Sequence, residues 1–297
     1  MNLLCAEGLR GAENLNVADS LATLDQWVRL ADFETSRHLY RFQRNPAAFD
    51  RSEAKFRVLM LGVALQTNCH VRYNPDRATP AGVFEPNDVF FADSRDVFLH
   101  GLVGARRMGT CSSLPVLYVA VGRRLGYPLK LIKTKAHLAA RWDGPHEQFN
   151  IETSSRGVGC YDNAHFKRWR IPVSDEEVQA MGLLKSLTPA QELATFLSIR
   201  AACLTAMGRT DDAMACHEQA VRLAPDSPKY RLLLAKEDYL KGAENLARAT
   251  EQFILPYLLG RRSDYAELRD FVEKQASKAS SEVIDYRLPK SVRKEWL

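Results

Sequence analysis

The sequence predicts an α+β core with N-terminal helices followed by a smaller α-helical domain, and three patterns carry that reading. Apolar residues recur at spacings of three and four from Leu21 to Val63. Short runs of strand-forming residues, broken by turn residues, then fill Leu129 to Thr153. From Thr188 helical spacing returns, with small residues at repeat-like intervals. A chain of 297 residues has room for two domains at roughly 100–200 residues each. The expected boundary lies at Thr188, giving domains 1–187 and 188–297.

Leu21, Leu24, Trp27, Val28 and Ala31 mark one helical face, Phe56, Leu59, Met60 and Val63 a second, and Asn45-Pro46 the break between them. Tyr73-Asn74-Pro75 and Thr79-Pro80-Ala81-Gly82 are turn residues, expected in a surface loop near a site or a connection. Asp93-Ser94-Arg95-Asp96 reads as an N-cap with an acidic third position. Val97, Phe98 and Leu102 follow on one face, which predicts a helix ending by Gly109. A further apolar helix runs to Arg124 and is stopped by Gly126, with Pro128 close behind. Pro115 is tolerated in its first turn, where the amide has no intrahelical acceptor to lose. Cys111 thus falls at or just before a helix N-terminus. Leu129 to Lys135, His137 to Trp142 and Gln148 to Thr153 are predicted strands, the last two a hairpin across Asp143-Gly144-Pro145-His146.

Thr188-Pro189-Ala190-Gln191 is a helix start. Ala194 to Ser227 fits the helix-turn-helix period of roughly 34 residues. Ala201, Gly208, Ala213, Ala220 and Pro225 stand where small residues, a turn and a stop are needed, and the segment resembles a tetratricopeptide repeat. It departs at Arg200 and His217, where such repeats prefer apolar or aromatic residues. Pro228 to Gly260 matches a next unit only through Ala235 and Ala247. Fewer than three repeats rarely fold alone, so these helices are expected to dock on the first domain or on a protein partner.

Composition narrows the function. The net charge of +5 is spread over 41 basic and 36 acidic residues without a basic stripe, so no nucleic-acid partner is expected. The longest apolar stretches, Val58 to Leu65 and Leu114 to Val121, are far short of the ~20 residues that span a bilayer, so no membrane span is expected. The opening residues, Met1 to Glu7, carry neither a basic n-region nor an apolar h-region, which predicts a cytoplasmic protein without a secretory signal. Six cysteines (Cys5, Cys69, Cys111, Cys160, Cys203, Cys216) lie far apart without a Cys-x-x-Cys, so neither a zinc site nor a disulfide framework is encoded locally, and no metal or cofactor is expected.

The chemistry-bearing residues converge on one thiol. A helix N-terminus favours a thiolate through its unpaired amides and partial positive charge, and Cys111 has that place. A cysteine nucleophile also needs a histidine to share its proton and a polar group to orient the imidazole. The hairpin offers His137 and Glu152. With the turn centred between Gly144 and Pro145, His137 lies directly opposite Glu152, at carboxylate-to-imidazole distance. Alternation then turns Leu138, Ala140, Phe149 and Ile151 to the opposite, core-facing side.

The run Gly109-Thr110-Cys111-Ser112-Ser113-Leu114-Pro115, then His137-Leu138, then Phe149-Asn150-Ile151-Glu152 resembles the transglutaminase-like branch of the papain-like cysteine enzymes. More narrowly, it resembles a bacterial subgroup that carries tetratricopeptide-like helices after the core. The resemblance covers roughly Arg37 to Pro225 and is specific in those three segments. It implies a papain/transglutaminase-like core with Cys111 as nucleophile, His137 as base and Glu152 as orienting acid, where many relatives have Asp. Of the oxyanion donors, the Cys111 amide is the first. Tyr73 resembles the upstream aromatic that supplies the second, with Gln66 and Asn68 as alternatives. The implied activity is thiol-dependent acyl transfer on a peptide or protein substrate, by a protease, amidase or transglutaminase-like enzyme. Some members of the wider group have lost the cysteine, which sets the rival reading of an inactive scaffold that binds a protein partner through its helical repeat. The other five cysteines default to small core residues. His70, His100, His146, His165 and His217 default to surface or hydrogen-bonded core positions, and Arg123-Arg124 to a helix C-terminus reaching into water.

Overall fold

The computed structural model describes residues 1–78, 90–135, 137–154, 157–169, 171–231 and 233–234. Helices and one main sheet are combined. Asn16 caps the long α1 (Val17–Arg44) through Asp19 N, and Ser52 caps α2 (Glu53–Gly62) through Lys55 N. Leu24, Trp27 and Ala31 bury the inner face of α1, whereas Leu21 and Leu59 face solvent at the edges of their stripes. A π-helical turn, Val63–Asn68, continues α2. The chain then forms β1 (Arg72–Tyr73), parallel to β2 (Met108–Gly109). The turn predicted at 79–82 lies outside the described residues.

The helix expected from Asp93 to Gly109 is two short ones, α3 (Ser94–Val97) and α4 (Leu99–Val103). The break falls at Phe98, whose backbone is extended, and it seats Gly101 against the Arg95 carbonyl so tightly that no Cβ would fit. Val97, Phe98 and Leu102 are fully buried, so the apolar face is kept although the helix is not continuous.

α5 (Leu114–Arg124) ends where Gly126 takes a positive φ of 77°. It packs on a four-stranded antiparallel sheet of β3 (Leu129–Thr134), β4 (His137–Asp143), β5 (Gln148–Glu152) and β6 (Gly159–Tyr161), joined in sequence order. The period of two along each strand gives the sheet two apolar faces. Leu129, Leu131, Leu138, Ala140, Phe149 and Ile151 join α5 in the main core. Ile132 and Ala139, on the other face, meet Phe166 of α6 (Asn163–Arg168) and Leu183 and Leu184 beyond α7 (Asp175–Ala180).

The capping box of Thr188 and Gln191, with Pro189 at the first helical position, starts α8 (Pro189–Ala206), and Gly208 turns the chain into α9 (Thr210–Leu223). Ala201, Ala213 and Ala220 are fully buried. Phe196, Ala201, Cys203, Leu204 and Ala213 belong to the same apolar cluster as the sheet and α5. Arg200 does not break this packing. Its Nη1 donates to the Cys5 and Glu7 carbonyls at 2.8 and 2.6 Å, tying α8 to the N-terminal segment. Arg123 reaches water as expected and also forms a bidentate ion pair with Glu192 at 2.6 and 2.9 Å and donates to the Leu129 carbonyl at 2.7 Å. Of the degenerate second unit, residues from 235 onward lie outside the described ones. Among the described residues no helix is long and apolar enough to cross a membrane.

Candidate active site

Cys111 sits in a tight turn two residues before the Ser113 N-cap of α5. Ser113 Oγ accepts from Thr110 N at 3.0 Å and donates to the Asp96 carbonyl at 2.9 Å, and Thr110 Oγ1 donates to the same carbonyl at 2.9 Å. Ser112 N donates to Thr110 Oγ1, and Ser113 N and Leu114 N donate to the Thr110 carbonyl. Every amide from Thr110 to Leu114 is thereby committed except that of Cys111, which has no acceptor among the described residues. Gly109 is required beside this turn, because a Cβ there would collide with Ser113 Oγ and Leu102.

His137 opens β4 and Glu152 closes β5. Their side chains meet as expected, with His137 Nε2 2.8 Å from Glu152 Oε2, both groups buried. The pairing that brings them together differs by two residues from the one the sequence suggested. Asp143 pairs with Gln148 and Ala140 with Ile151. Continuing that register sets Glu152 opposite Ala139 and His137 diagonally across from it. The turn is a four-residue loop, Gly144 to Glu147, closed by Gly144 N on the Glu147 carbonyl, 3.2 Å, and lies one residue further along than the expected Asp143 to His146. A shift of two preserves the face of every side chain, so the contact survives as a diagonal neighbour within reach of long side chains.

The carboxylate is held from its other side by Ser154 N, 2.5 Å from Glu152 Oε1. Trp169 stands edge-on to the His137 ring with centroids 4.6 Å apart, shielding it from water. Burial works against a charged imidazole, but Cys111 and Glu152 together outweigh it and raise His137 to about 9. Burial likewise opposes the Glu152 charge, and His137 with the Ser154 amide holds the carboxyl below its ordinary value. With Nε2 on Glu152, Nδ1 is the nitrogen left for the thiol. It is buried and makes no hydrogen bond of good geometry, although Cys111 is near enough to influence the ring. Such nucleophile–base contacts are often loose without substrate. The other cysteines lie in a different setting. Burial pushes Cys69 and Cys160 up to about 11 and Cys203 up to about 12, and also raises Cys5 and Cys216.

Tyr73 is two residues from Cys111 across the β1–β2 pair, opposite Gly109, and its hydroxyl donates to the Arg77 carbonyl at 3.3 Å. Gln66 grips the Gly157 backbone, accepting from its N–H at 2.9 Å and donating to its carbonyl at 3.2 Å, and also donates to the Tyr118 hydroxyl. Asn68 donates to Glu34 at 2.9 Å. His100 is a buried partner of the Ser94 hydroxyl. Two residues at the site escaped sequence reasoning. Asp96 read as the acid of a helix start, but its side chain turns away from the cap and into an ion-pair cluster. Trp169 carried no local signal, because it follows α6 and only the path of the chain through β6 and α6 brings it back to His137.

No protein-family model, curated protein or solved structure matches this chain. The case for function therefore rests on the arrangement of a thiol, an imidazole and a carboxylate at the end of one sheet.

Proposed function

We propose that the protein is a thiol-dependent acyl-transfer enzyme of transglutaminase-like type, acting on an amide or peptide bond through Cys111, His137 and Glu152. The observation that carries this reading is the buried 2.8 Å His137–Glu152 contact, which leaves the opposite ring nitrogen unpartnered beside Cys111. Glu152 accepts from Nε2–H and so orients the ring with Nδ1 towards Cys111. Because His137 is held in its charged form, Nδ1 already carries the proton that Cys111 gives up, and the sulfur attacks the carbonyl carbon as the thiolate of that pair. The developing oxyanion accepts from the uncommitted Cys111 N–H. Collapse breaks the C–N bond, the amine leaves with the proton from His137, and a thioester remains on Cys111. Water or a second amine then takes the acyl group. The helical domain, read as tetratricopeptide-like, belongs to the same proposal as a wall against which a peptide substrate approaches.

The test uses an activated acyl ester as probe, with intact-mass detection of the acyl-enzyme. The wild-type protein should gain one acyl group on Cys111, Cys111→Ala should gain none there, and Glu152→Gln should acylate more slowly. Acylation that persists at the same rate in Cys111→Ala would reject the proposal.

A further inference from the structure

Asp96 is fully buried, and a carboxylate in that position is tolerated only when its charge is matched. Three side chains supply the match. Arg77 Nε donates to Oδ2 at 2.9 Å, Arg106 Nη2 to Oδ1 at 2.8 Å and Asn74 Nδ2 to Oδ1 at 2.8 Å. Asn74 and Arg77 lie just after β1, and Arg106 lies just before β2. The carboxylate therefore binds together the two segments that flank the Cys111 turn. Its own backbone carbonyl faces the turn itself. The α3 helix stops at Phe98, so that carbonyl receives no backbone donor among the described residues and is free to accept from both Thr110 Oγ1 and Ser113 Oγ.

We infer that Asp96 is the positioning residue of the nucleophile, an inference that rests on the thiol reading above. Its side chain fixes the direction of its carbonyl, and the carbonyl fixes Thr110 and Ser113 on either side of Cys111. Two consequences follow for the chemistry. The turn holds the thiol beside His137. The same hydroxyls absorb the neighbouring amides, leaving the Cys111 N–H as the donor for an oxyanion. A network of this kind matters because catalytic groups must be held within a fraction of an ångström, and their supporting shell decides whether they are.

The full-length protein is labelled with iodoacetamide over about pH 5–9, with labelling read separately at each of the six cysteines, and each variant is checked by circular dichroism and thermal melting. In the wild-type protein Cys111 should react fastest. Asp96→Asn and Ser113→Ala should slow Cys111 by about tenfold or more and move its labelling to higher pH, because the thiol loses its place beside the imidazolium. The other five sites should be unchanged. Ser113→Thr keeps the hydroxyl and should restore wild-type behaviour. A role in folding alone would lower the melting temperature without moving the pH profile of the folded protein. If Asp96→Asn does not fold, Ser113→Ala, which removes one hydroxyl, decides the question. Folded variants that label Cys111 with the wild-type rate and pH profile overturn the positioning role while leaving the thiol reading intact. A wild-type protein in which Cys111 is not the preferred site overturns the thiol reading, and the positioning role with it.

Discussion

His137 and Glu152 are each costly to charge inside the protein; His137 keeps its charge through Cys111 and Glu152, and Glu152 through His137 and the Ser154 amide. That coupling makes stability depend on pH. His137 titrates at about 9 in the folded protein against an ordinary 6.5, so its contribution is complete below 6.5 and is lost as pH rises through about 9. Glu152 is shifted downward from 4.5, so its contribution is present above 4.5 and is lost as pH falls through the folded value. Both are complete between 4.5 and 6.5. Urea unfolding should therefore show the wild-type protein losing more stability than Glu152→Gln between pH 6.5 and pH 9, by the part of the His137 shift that Glu152 supplies beside Cys111. Parallel pH dependences in the two proteins would show that the pair is uncoupled.

At the scale of elements, the α8–α9 contact is built on small residues. Ala201, Ala213 and Ala220 have no exposed surface, and Ala213 shares the main apolar cluster with Phe196 and Leu204. Ala213→Leu should overpack this contact and cost about 1–3 kcal/mol in a denaturant titration. Unchanged stability would mean that the helices have room to part. Most elements were legible because their signals are local. The Thr188 capping box, the Pro115 first turn and the Gly126 stop each specify a boundary within a few residues. The alternation at Leu138, Ala140, Phe149 and Ile151 likewise gave the face that meets the core. Legibility ended where long-range contacts decide. The residues from Asp143 to Glu147 admit a four-residue loop in two positions with the same face pattern, so alternation alone did not select the one that Asp143 and Gln148 close. The helix after Asp93 broke at Phe98 because of how Gly101 meets Arg95 and how Asp96 meets Arg77 and Arg106, contacts that no helical spacing encodes.

At the scale of the whole molecule, the helical pair is joined to the core by apolar packing, by the Arg200 hydrogen bonds to the N-terminal segment and by an ion pair whose two ends differ. Glu192 is 3% exposed and Arg123 38% exposed. Removing one partner from such a pair costs most when the group left behind is the one that water does not reach. Arg123→Met strands the Glu192 carboxylate among buried neighbours and also deletes the donor to the Leu129 carbonyl. Glu192→Met leaves an arginine that still has that carbonyl and water to bind. The first variant should lose about 2–3 kcal/mol in urea unfolding and the second markedly less. The double Met variant should recover much of the loss, because apolar side chains of similar volume replace a buried pair at little cost. A Glu192→Met protein as unstable as Arg123→Met would mean that the pair stabilises the seam by attraction across it, and that the apolar surface from Phe196 to Ala213 does not by itself hold the helices to the core.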